Sequence, residues 1–483
     1  KMAEAQNNVP LLNRKEWQTM MPAITATAAG SFVAADQSGL SRYALYMLSG
    51  TVHYLYNHLN DDYLPITSGA FAGTFVAGAC GCYHPWSVTF TATGGTTTTV
   101  NVAAGTSNIS GLVVGAEIEF LSGTAANLGQ RRTITAIEIA AGAGTTIITF
   151  NAAPGAVVNT DTFRISSGSF FVLATGTLAS GSFKRWDIAT AAWSNLSITT
   201  LPATWGTDGR MVTPAILADF YDSGTASAGG ATTLTDGTKA WTADQWINSQ
   251  VRITGGTGIG QIRRITDNDG TVLTVASAWT TNPDATSTYK IEGDENAIYV
   301  LGNNAVTMYK YSISANTWAV VAPTTARAAA PIAGMSADFV GKTGNAVWAD
   351  ITDIKDGRYI YSLRGGTAVL DRYDIAGGTA GAGAWTAVTY SPALQTFATG
   401  DSTFWDYENI IIAKEGTAAI PQRFYKYSVV DNTFIPFTSD WYFGGAALLG
   451  NKIWVKKLSS AALVRWVYCL QSTATNLRRI MIY

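Results

Sequence analysis

The sequence is poor in charge, in histidine and in cysteine. Only 13% of its 483 residues are charged, the formal net charge is −2, and there are three histidines and three cysteines. A chain so close to neutrality gives no electrostatic case for nucleic-acid binding. Three cysteines do not make a disulfide framework, and Cys80 and Cys82 lack the second pair that a zinc site needs. These two and Cys469 are interpreted as buried small side chains.

Long apolar runs are also missing. No stretch of 18 apolar residues occurs, so no membrane span is expected, and residues 1–4 show no hydrophobic signal region. Glycine, threonine, alanine and aromatic residues are abundant instead, a mixture that suits short strands and tight turns. The composition predicts an all-β chain, either one large domain with insertions or two to four domains.

A pair of aromatic residues recurs along the chain. In four copies the first aromatic leads the second by seven residues, and in a fifth copy by twelve, across the Gly/Ala-rich segment 377–383. The pairs are Tyr56 and Tyr63, Trp186 and Trp193, Tyr311 and Trp318, Tyr427 and Phe434, and Tyr373 and Trp385. A recurring strand–turn–strand unit indicates one supersecondary element stacked many times, and it favours a scaffold or binding protein over a small enzyme.

Each unit extends to about four strands, a to d, of which the aromatic pair marks c and d. Short aromatic and aliphatic runs such as 299–301 and 359–361 precede the pair and are typical of strand b, with a weaker strand a before them. At the end of the chain, 466–470 and 477–480 supply b and c but no d. Residues 16–22, which include Trp17, resemble a strand d, and they are expected to complete the last unit and close a ring of about six blades.

Two spacings between units are too long, and both gaps contain a similar stretch. Residues 130–135 match 261–266, which indicates two copies of one small barrel- or sandwich-like β-module, each placed between strands a and b. The predicted order is an N-terminal tail at 1–13, propeller at 14–86, the first module at 87–167, propeller at 168–220, the second module at 221–293, and propeller at 294–483.

Two resemblances follow from these residues. The run Tyr-Ile-Tyr-Ser-Leu-Arg-Gly-Gly at 359–366, followed by Tyr373 and Trp385, resembles a kelch-type β-propeller blade, although only this unit keeps the double glycine. The second module, with Leu-Thr-Asp at 234–236 and Gly-Ile-Gly-Gln at 258–261, resembles β-modules in structural proteins of tailed bacteriophages. That resemblance implies a non-enzymatic virion component of the tail, neck or nozzle, in contact with other virion proteins and with copies of itself.

No constellation of polar residues predicts catalysis, a cofactor or a metal. His53, His58 and His84 are too few for the ligand cluster of a kelch-type copper oxidase and are interpreted as partly buried, hydrogen-bonded side chains. Asp187 and Asp374 recur at one position of the unit, which favours a structural role such as capping turn amides. The glycine-rich loop at 255–260 has no following Lys-Ser/Thr, so it predicts a hairpin turn, not a phosphate site.

An alternative function is a receptor- or glycan-binding propeller at a virion or cell surface. Exposed tryptophans outside the repeat could stack on sugars, although packing between blades is favoured for each of them. They are Trp205, Trp241, Trp246, Trp279, Trp405 and Trp441. A third possibility, hydrolysis of a host polysaccharide, would need a pair of carboxylates in a cleft.

Overall fold

The computed structural model consists of β-strands joined by turns, and the all-β prediction is confirmed. In the residues that it describes there is no α-helix, only two short 3₁₀ turns at Ala125–Asn127 and Thr379–Gly381, and no helix able to cross a membrane. The described residues are 18–19, 32–35, 43–47, 52–57, 62–67, 79–103, 117–127, 130–138, 145–153, 155–188, 192–205, 209–214, 222–302, 306–328, 336–341, 359–388, 396–397, 401–405, 409–414, 423–428, 432–436, 453–457, 465–470 and 477–482.

The strands follow one another in chain order. Those before residue 215 are β1 (Gln18–Thr19), β2 (Phe32–Ala35), β3 (Tyr43–Met47), β4 (Val52–Asn57), β5 (Asp62–Thr67), β6 (Cys80–Gly95), β7 (Thr99–Val102), β8 (Glu117–Ser122), β9 (Arg131–Glu138), β10 (Thr146–Phe150), β11 (Thr162–Leu173), β12 (Gly176–Thr177), β13 (Phe183–Asp187), β14 (Ala192–Asn195), β15 (Thr204–Trp205) and β16 (Arg210–Val212). Those of the next segment are β17 (Asp222–Thr225), β18 (Ala228–Gly229), β19 (Thr233–Thr235), β20 (Ser249–Gly255), β21 (Ile262–Asn268), β22 (Val272–Val275) and β23 (Thr288–Gly293). The remainder are β24 (Ala297–Leu301), β25 (Met308–Ser312), β26 (Thr317–Val320), β27 (Ser336–Gly341), β28 (Tyr359–Arg364), β29 (Val369–Asp374), β30 (Ala384–Val388), β31 (Ser402–Trp405), β32 (Asn409–Lys414), β33 (Arg423–Ser428), β34 (Thr433–Pro436), β35 (Ile453–Lys457), β36 (Arg465–Leu470) and β37 (Leu477–Ile482).

Four-stranded antiparallel sheets recur along the chain. Their orders are β2-β3-β4-β5, β16-β24-β25-β26, β27-β28-β29-β30, β31-β32-β33-β34 and β1-β37-β36-β35. The order β6-β11-β13-β14 forms one end of an eight-stranded sheet. The first strands of these units contact one another in a closed cycle, from β2 to β6, β16, β27, β31, β35 and back to β2. The sheets are therefore arranged around an axis as in a propeller.

The two ends of the chain meet in one sheet. The backbone of Gln18 lies opposite Arg479 and that of Thr19 opposite Arg478, so β1 is the outer neighbour of β37. This is the pairing expected between the N-terminal strand and the last unit. Trp17, which was expected to contribute to it, lies outside the described residues.

Two further sheets share one order of pairing. In the first, β11-β6-β7-β10-β9-β8 is closed by pairing of β8 with β11, which makes a six-stranded barrel. In the second, the order β23-β20-β21-β22-β19-β18 matches the first read in the other direction, β11-β8-β9-β10-β7-β6. Because β17 returns to β23, β17 and β18 together occupy the place of β6. Each has its own hydrophobic core, drawn from within 90–165 and 226–291 respectively. We call these the first and the second module.

Hydrophobic side chains fill the spaces between successive four-stranded sheets. Phe171 and Phe183 pack with Tyr311, which belongs to the next sheet, and the ring centroids of Phe183 and Tyr311 are 4.9 Å apart. The ring centroid of Tyr299 lies 6.3 Å from that of Tyr373, which belongs to the following sheet. Because aromatic residues alternate along these strands, each sheet presents them to its neighbours on both faces.

Candidate functional site

The recurring aromatic residues lie directly opposite one another on strands c and d of each unit. The register pairs Trp186 with Trp193, Tyr311 with Trp318, Tyr373 with Trp385, Tyr427 with Phe434 and Tyr56 with Tyr63. In the first four pairs the ring centroids are 5.3, 4.9, 5.2 and 4.8 Å apart. The residues of these four pairs pack against each other across the two strands.

The turns that join strands c and d carry a second repeated contact. Asn316 and Asn432 have φ values of 52° and 53°, the left-handed conformation that asparagine tolerates. Tyr311 donates its hydroxyl hydrogen to Oδ1 of Asn316 at 2.7 Å, and Tyr427 does the same to Asn432 at 2.8 Å. The tyrosine bond that fixes these turns becomes visible only in the structure.

The recurring aspartates make local contacts. Asp374 Oδ1 accepts the backbone N–H of Ala376 at 3.1 Å, which is the turn-capping role expected for it. Asp187 Oδ2 accepts a hydrogen bond from Ser169 Oγ at 3.4 Å and lies 3.7 Å from the Arg185 guanidinium. Both carboxylates thus make contacts within their own sheet or the turn that follows it.

The histidines are not brought together. His53 is buried, with its ring 6.1 Å from that of Trp193. His84 is buried against Phe171 and donates a hydrogen bond from Nε2 to the carbonyl of Glu295. Burial lowers the pKa of His84 to about 4. The hydrogen bond to the Glu295 carbonyl opposes this shift, whereas the nearby Arg185 cation adds to it. His58 lies outside the described residues, among which no cluster of three His, Cys, Asp or Glu groups could hold a metal.

Cys80 and Cys82 are buried, as expected for small packing residues. Burial raises the pKa of the Cys82 thiol, so this thiol is neutral and unreactive at neutral pH. The strand that holds Cys469 is described but its side chain is not.

Four of the six tryptophans outside the repeat have described side chains, and these four pack against hydrophobic cores. Trp205 is buried between two sheets, and Trp246 and Trp279 are buried in the core of the second module, where Trp241 packs at its edge. The side chain of Trp405 and all of Trp441 lie outside the described part of the chain.

The most distinctive polar site joins the second module to the propeller. Arg252 of β20 donates from Nε to Glu292 and from Nη2 to Glu295, at 3.0 and 2.7 Å from the nearest carboxylate oxygens. Its side chain is 5% exposed. Gln250 completes the cluster: its Nε2 donates to Glu292, and its Oε1 accepts the backbone N–H of Glu295. We call these four residues the junction cluster.

The junction cluster combines one cation, Arg252, with two carboxylates, Glu292 and Glu295, so negative charge is in excess. Although burial disfavours the Arg252 cation, the two glutamates outweigh it and raise the pKa of the guanidinium. Burial raises the pKa of Glu295, while Arg252 opposes that shift. The next acidic residue, Asp294, lies 3.5 Å from Lys310 of β25. The link from β23 to β24 is thereby fixed on both sides by cations.

A second contact fixes the same module to a neighbouring unit. Asn248 donates its side-chain amide to the carbonyls of Ile375 and Gly381, each at 3.0 Å. These carbonyls belong to the long turn between strands c and d that holds the Gly/Ala-rich segment. The extra residues of that turn thus form a seat for the module.

Sequence reasoning missed both contacts. The only available signal was three acidic residues within 292–295, directly after the module, which is a charge density unusual for this chain. The partners in these contacts are forty or more positions apart in the chain; Arg252 and Glu295, for example, are separated by 43. The junction cluster and Asn248 hold the second module to the propeller. Their described residues include no acid–base pair and no nucleophile.

Comparisons with known proteins identify no family. No family model matches the chain and no curated protein matches it. Among solved structures, Saccharomyces cerevisiae Sqt1 is 9% identical, with 97% of this chain and 99% of that chain covered and a TM-score of 0.36. An auxiliary nutrient binding protein from Bacteroides thetaiotaomicron is 11% identical over 80% and 94% of the chains, with a TM-score of 0.22. The phage phi92 endosialidase is 10% identical over 98% and 59%, with a TM-score of 0.19. Likenesses this distant carry no argument about function.

Proposed function

We propose that the chain is a non-enzymatic structural component of a bacteriophage virion, in the tail, neck or nozzle. In this proposal a propeller of six blades, closed by its N-terminal strand, carries two inserted β-modules and contacts other virion proteins and copies of itself. The closed cycle of six inner strands supports the blade count. The common pairing order of the two modules supports duplication of one inserted unit.

The observation that carries the proposal is the firm seating of the second module. A module held by the junction cluster and by Asn248 has a fixed direction relative to the propeller, which suits a repeated contact between subunits. The connection between strands a and b and that between c and d leave a blade on the same face. Contact of Asn248 with Gly381 supports projection of the second module from that face. The virion assignment itself rests on the resemblance of residues 221–293.

The experiment is to locate the protein in particles. Virions produced from a genome that encodes the chain are purified, analysed by mass spectrometry and labelled with an antibody raised against the second module. We expect a constant copy number per particle and label at the tail, neck or nozzle. Absence from purified particles, with the protein present in the lysate, would contradict the proposal.

The glycan-binding alternative predicts a different result. Three of the six tryptophans that could have lined a sugar site, Trp205, Trp246 and Trp279, are buried, which weakens this alternative. Purified protein should give no saturable binding on an array of host-surface glycans and only background turnover of capsule polysaccharide. Saturable binding to one glycan class would favour the receptor-binding function instead.

A further inference from the structure

An arginine is completely buried between two neighbouring propeller sheets. Arg327 follows β26, and its side chain is 0% exposed. Its Nε donates to Oδ2 of Asp371 at 3.0 Å. Arg364 donates to both oxygens of the same carboxylate, from Nε at 3.0 Å and from Nη2. Two guanidinium cations therefore share one carboxylate, and this group of three carries a net positive charge.

Several hydrogen-bonding groups around Arg327 have no partner among the described residues. Among the residues that the structure describes, nothing accepts from its buried Nη1 and Nη2. The Ser362 hydroxyl, on the same face as Asp371 because the two are opposite in the ladder, is buried and also lacks a partner. So does the indole N–H of Trp385, whose ring centroid is 5.8 Å from the Arg327 guanidinium carbon. Buried donors without acceptors cost stability, so this gathering of donors needs an explanation.

The contrast with the junction cluster shows what is missing. Arg252 is buried to a similar degree but has two glutamates, and its pKa is raised. At Arg327, burial lowers the pKa to about 10, Asp371 opposes the shift, and Arg364 adds to it. Arg327 is still a cation at neutral pH, and a buried cation without a full counter-charge is unfavourable. One additional negative charge would balance the site.

We propose that Arg327, Ser362 and Trp385 form a binding site for a small inorganic monoanion, for which chloride is the natural ligand. The unpaired groups are an arginine fork, a hydroxyl and an indole N–H, all of which can donate to an anion that only accepts. A single charge matches the excess on the two arginines and Asp371. Arg327 and Ser362 are 2% and 1% exposed, so the site is closed to solvent, which suits a small anion better than a larger oxyanion such as phosphate.

Chloride binding to the folded protein alone should raise its melting temperature. The full chain is heated in buffers in which chloride replaces gluconate at constant ionic strength. We expect the melting temperature to rise by a few degrees with chloride and to saturate. The Arg327→Met variant, which leaves the Asp371–Arg364 pair intact, should lose this dependence. The Arg252→Met variant is the matched control for loss of a buried arginine and should keep it.

A second measurement keeps the proposal testable if Arg327→Met does not fold. The milder Ser362→Ala variant should move the chloride response to higher concentration. Crystals soaked in bromide should show an anomalous peak within hydrogen-bond distance of Arg327. Equal melting temperatures in chloride and gluconate, or bromide only at other places, would overturn the proposal.

Discussion

At the scale of single residues, His84 is the clearest case of burial deciding chemistry. Its sequence context suggested a partly buried, hydrogen-bonded histidine, and the structure places it in contact with Phe171 and the carbonyl of Glu295. Because burial lowers its pKa to about 4, the ring is neutral in the folded protein at pH values where it is charged in the unfolded chain. His84 therefore ties folding to pH.

We predict that His84 makes the protein less stable as the pH falls from 6.5 towards 4. In this window the unfolded chain binds a proton that the folded protein does not, so the free energy of unfolding falls by about 2 to 3 kcal/mol. His84→Gln keeps an N–H donor but does not titrate. Urea unfolding at pH 7 and pH 4.5 should show a smaller loss for the variant. If the wild type and the variant lose the same free energy of unfolding, His84 is not responsible. The raised pKa of Glu295 acts in the opposite direction, and it is present in both proteins.

At the scale of elements, the hairpin between strands c and d explains the aromatic spacing. Residues seven apart lie opposite each other when a short turn joins the strands, as Tyr311 and Trp318 do. Where the turn is five residues longer, Tyr373 still faces Trp385, and Gly378, with φ of 75°, helps the chain to form the larger turn. The paired positions are retained while the turn changes, so the packing between sheets sets the register.

We predict that Asn316→Ala lowers the free energy of unfolding by about 2 kcal/mol. The change removes the acceptor for Tyr311 and for the backbone N–H of Ser197 and places alanine in the left-handed conformation. Asn316→Gly should recover only the backbone part of this loss. Asn432→Ala, for which the structure gives the tyrosine bond alone, should cost less. Urea denaturation compares the three, and equal losses for alanine and glycine would refute the conformational contribution.

At the scale of the whole molecule, a short strand from the N-terminal part of the chain pairs with the last sheet. β1 covers the outer edge of β37, and the inner strand of that sheet, β35, contacts both β31 and β2. Without β1 the last sheet would expose unpaired backbone groups at its outer edge. The first residues of the sequence thus stabilise a sheet built from the last ones.

We predict that deletion of residues 1–21 lowers the melting temperature by several degrees or more, because the β1–β37 pairing is lost. Deletion of residues 1–13, the proposed tail, is the control and should have little effect. Differential scanning calorimetry of the three proteins checks this. Equal melting temperatures for the two deletions would show that β1 does not contribute to stability.

Much of the fold could be predicted because its signals are local and repeated. Alternating apolar residues and the c/d aromatic pairs recur along the chain, and repetition made the missing strand near Tyr483 apparent. The chemistry of individual sites was less accessible. The sequence favoured packing for the tryptophans outside the repeat but did not show which core each one joins. The local sequence around a strand tryptophan is similar whether its side chain faces a core or solvent.

The sequence by itself determined the all-β repeat and the hairpin register, since strand alternation and turn preferences act over a few residues. It also indicated the pairing of the chain ends, because the repeat showed that the last unit lacked a strand. Only the tertiary structure decided which charges meet. Arg252 contacts Glu295, 43 positions further along the chain, and His84 bonds to the carbonyl of Glu295, 211 positions further along. Arg327 shares Asp371 with Arg364. Such pairs have no periodic signature, because their energy depends on burial and distance after folding, and neither is written in local sequence.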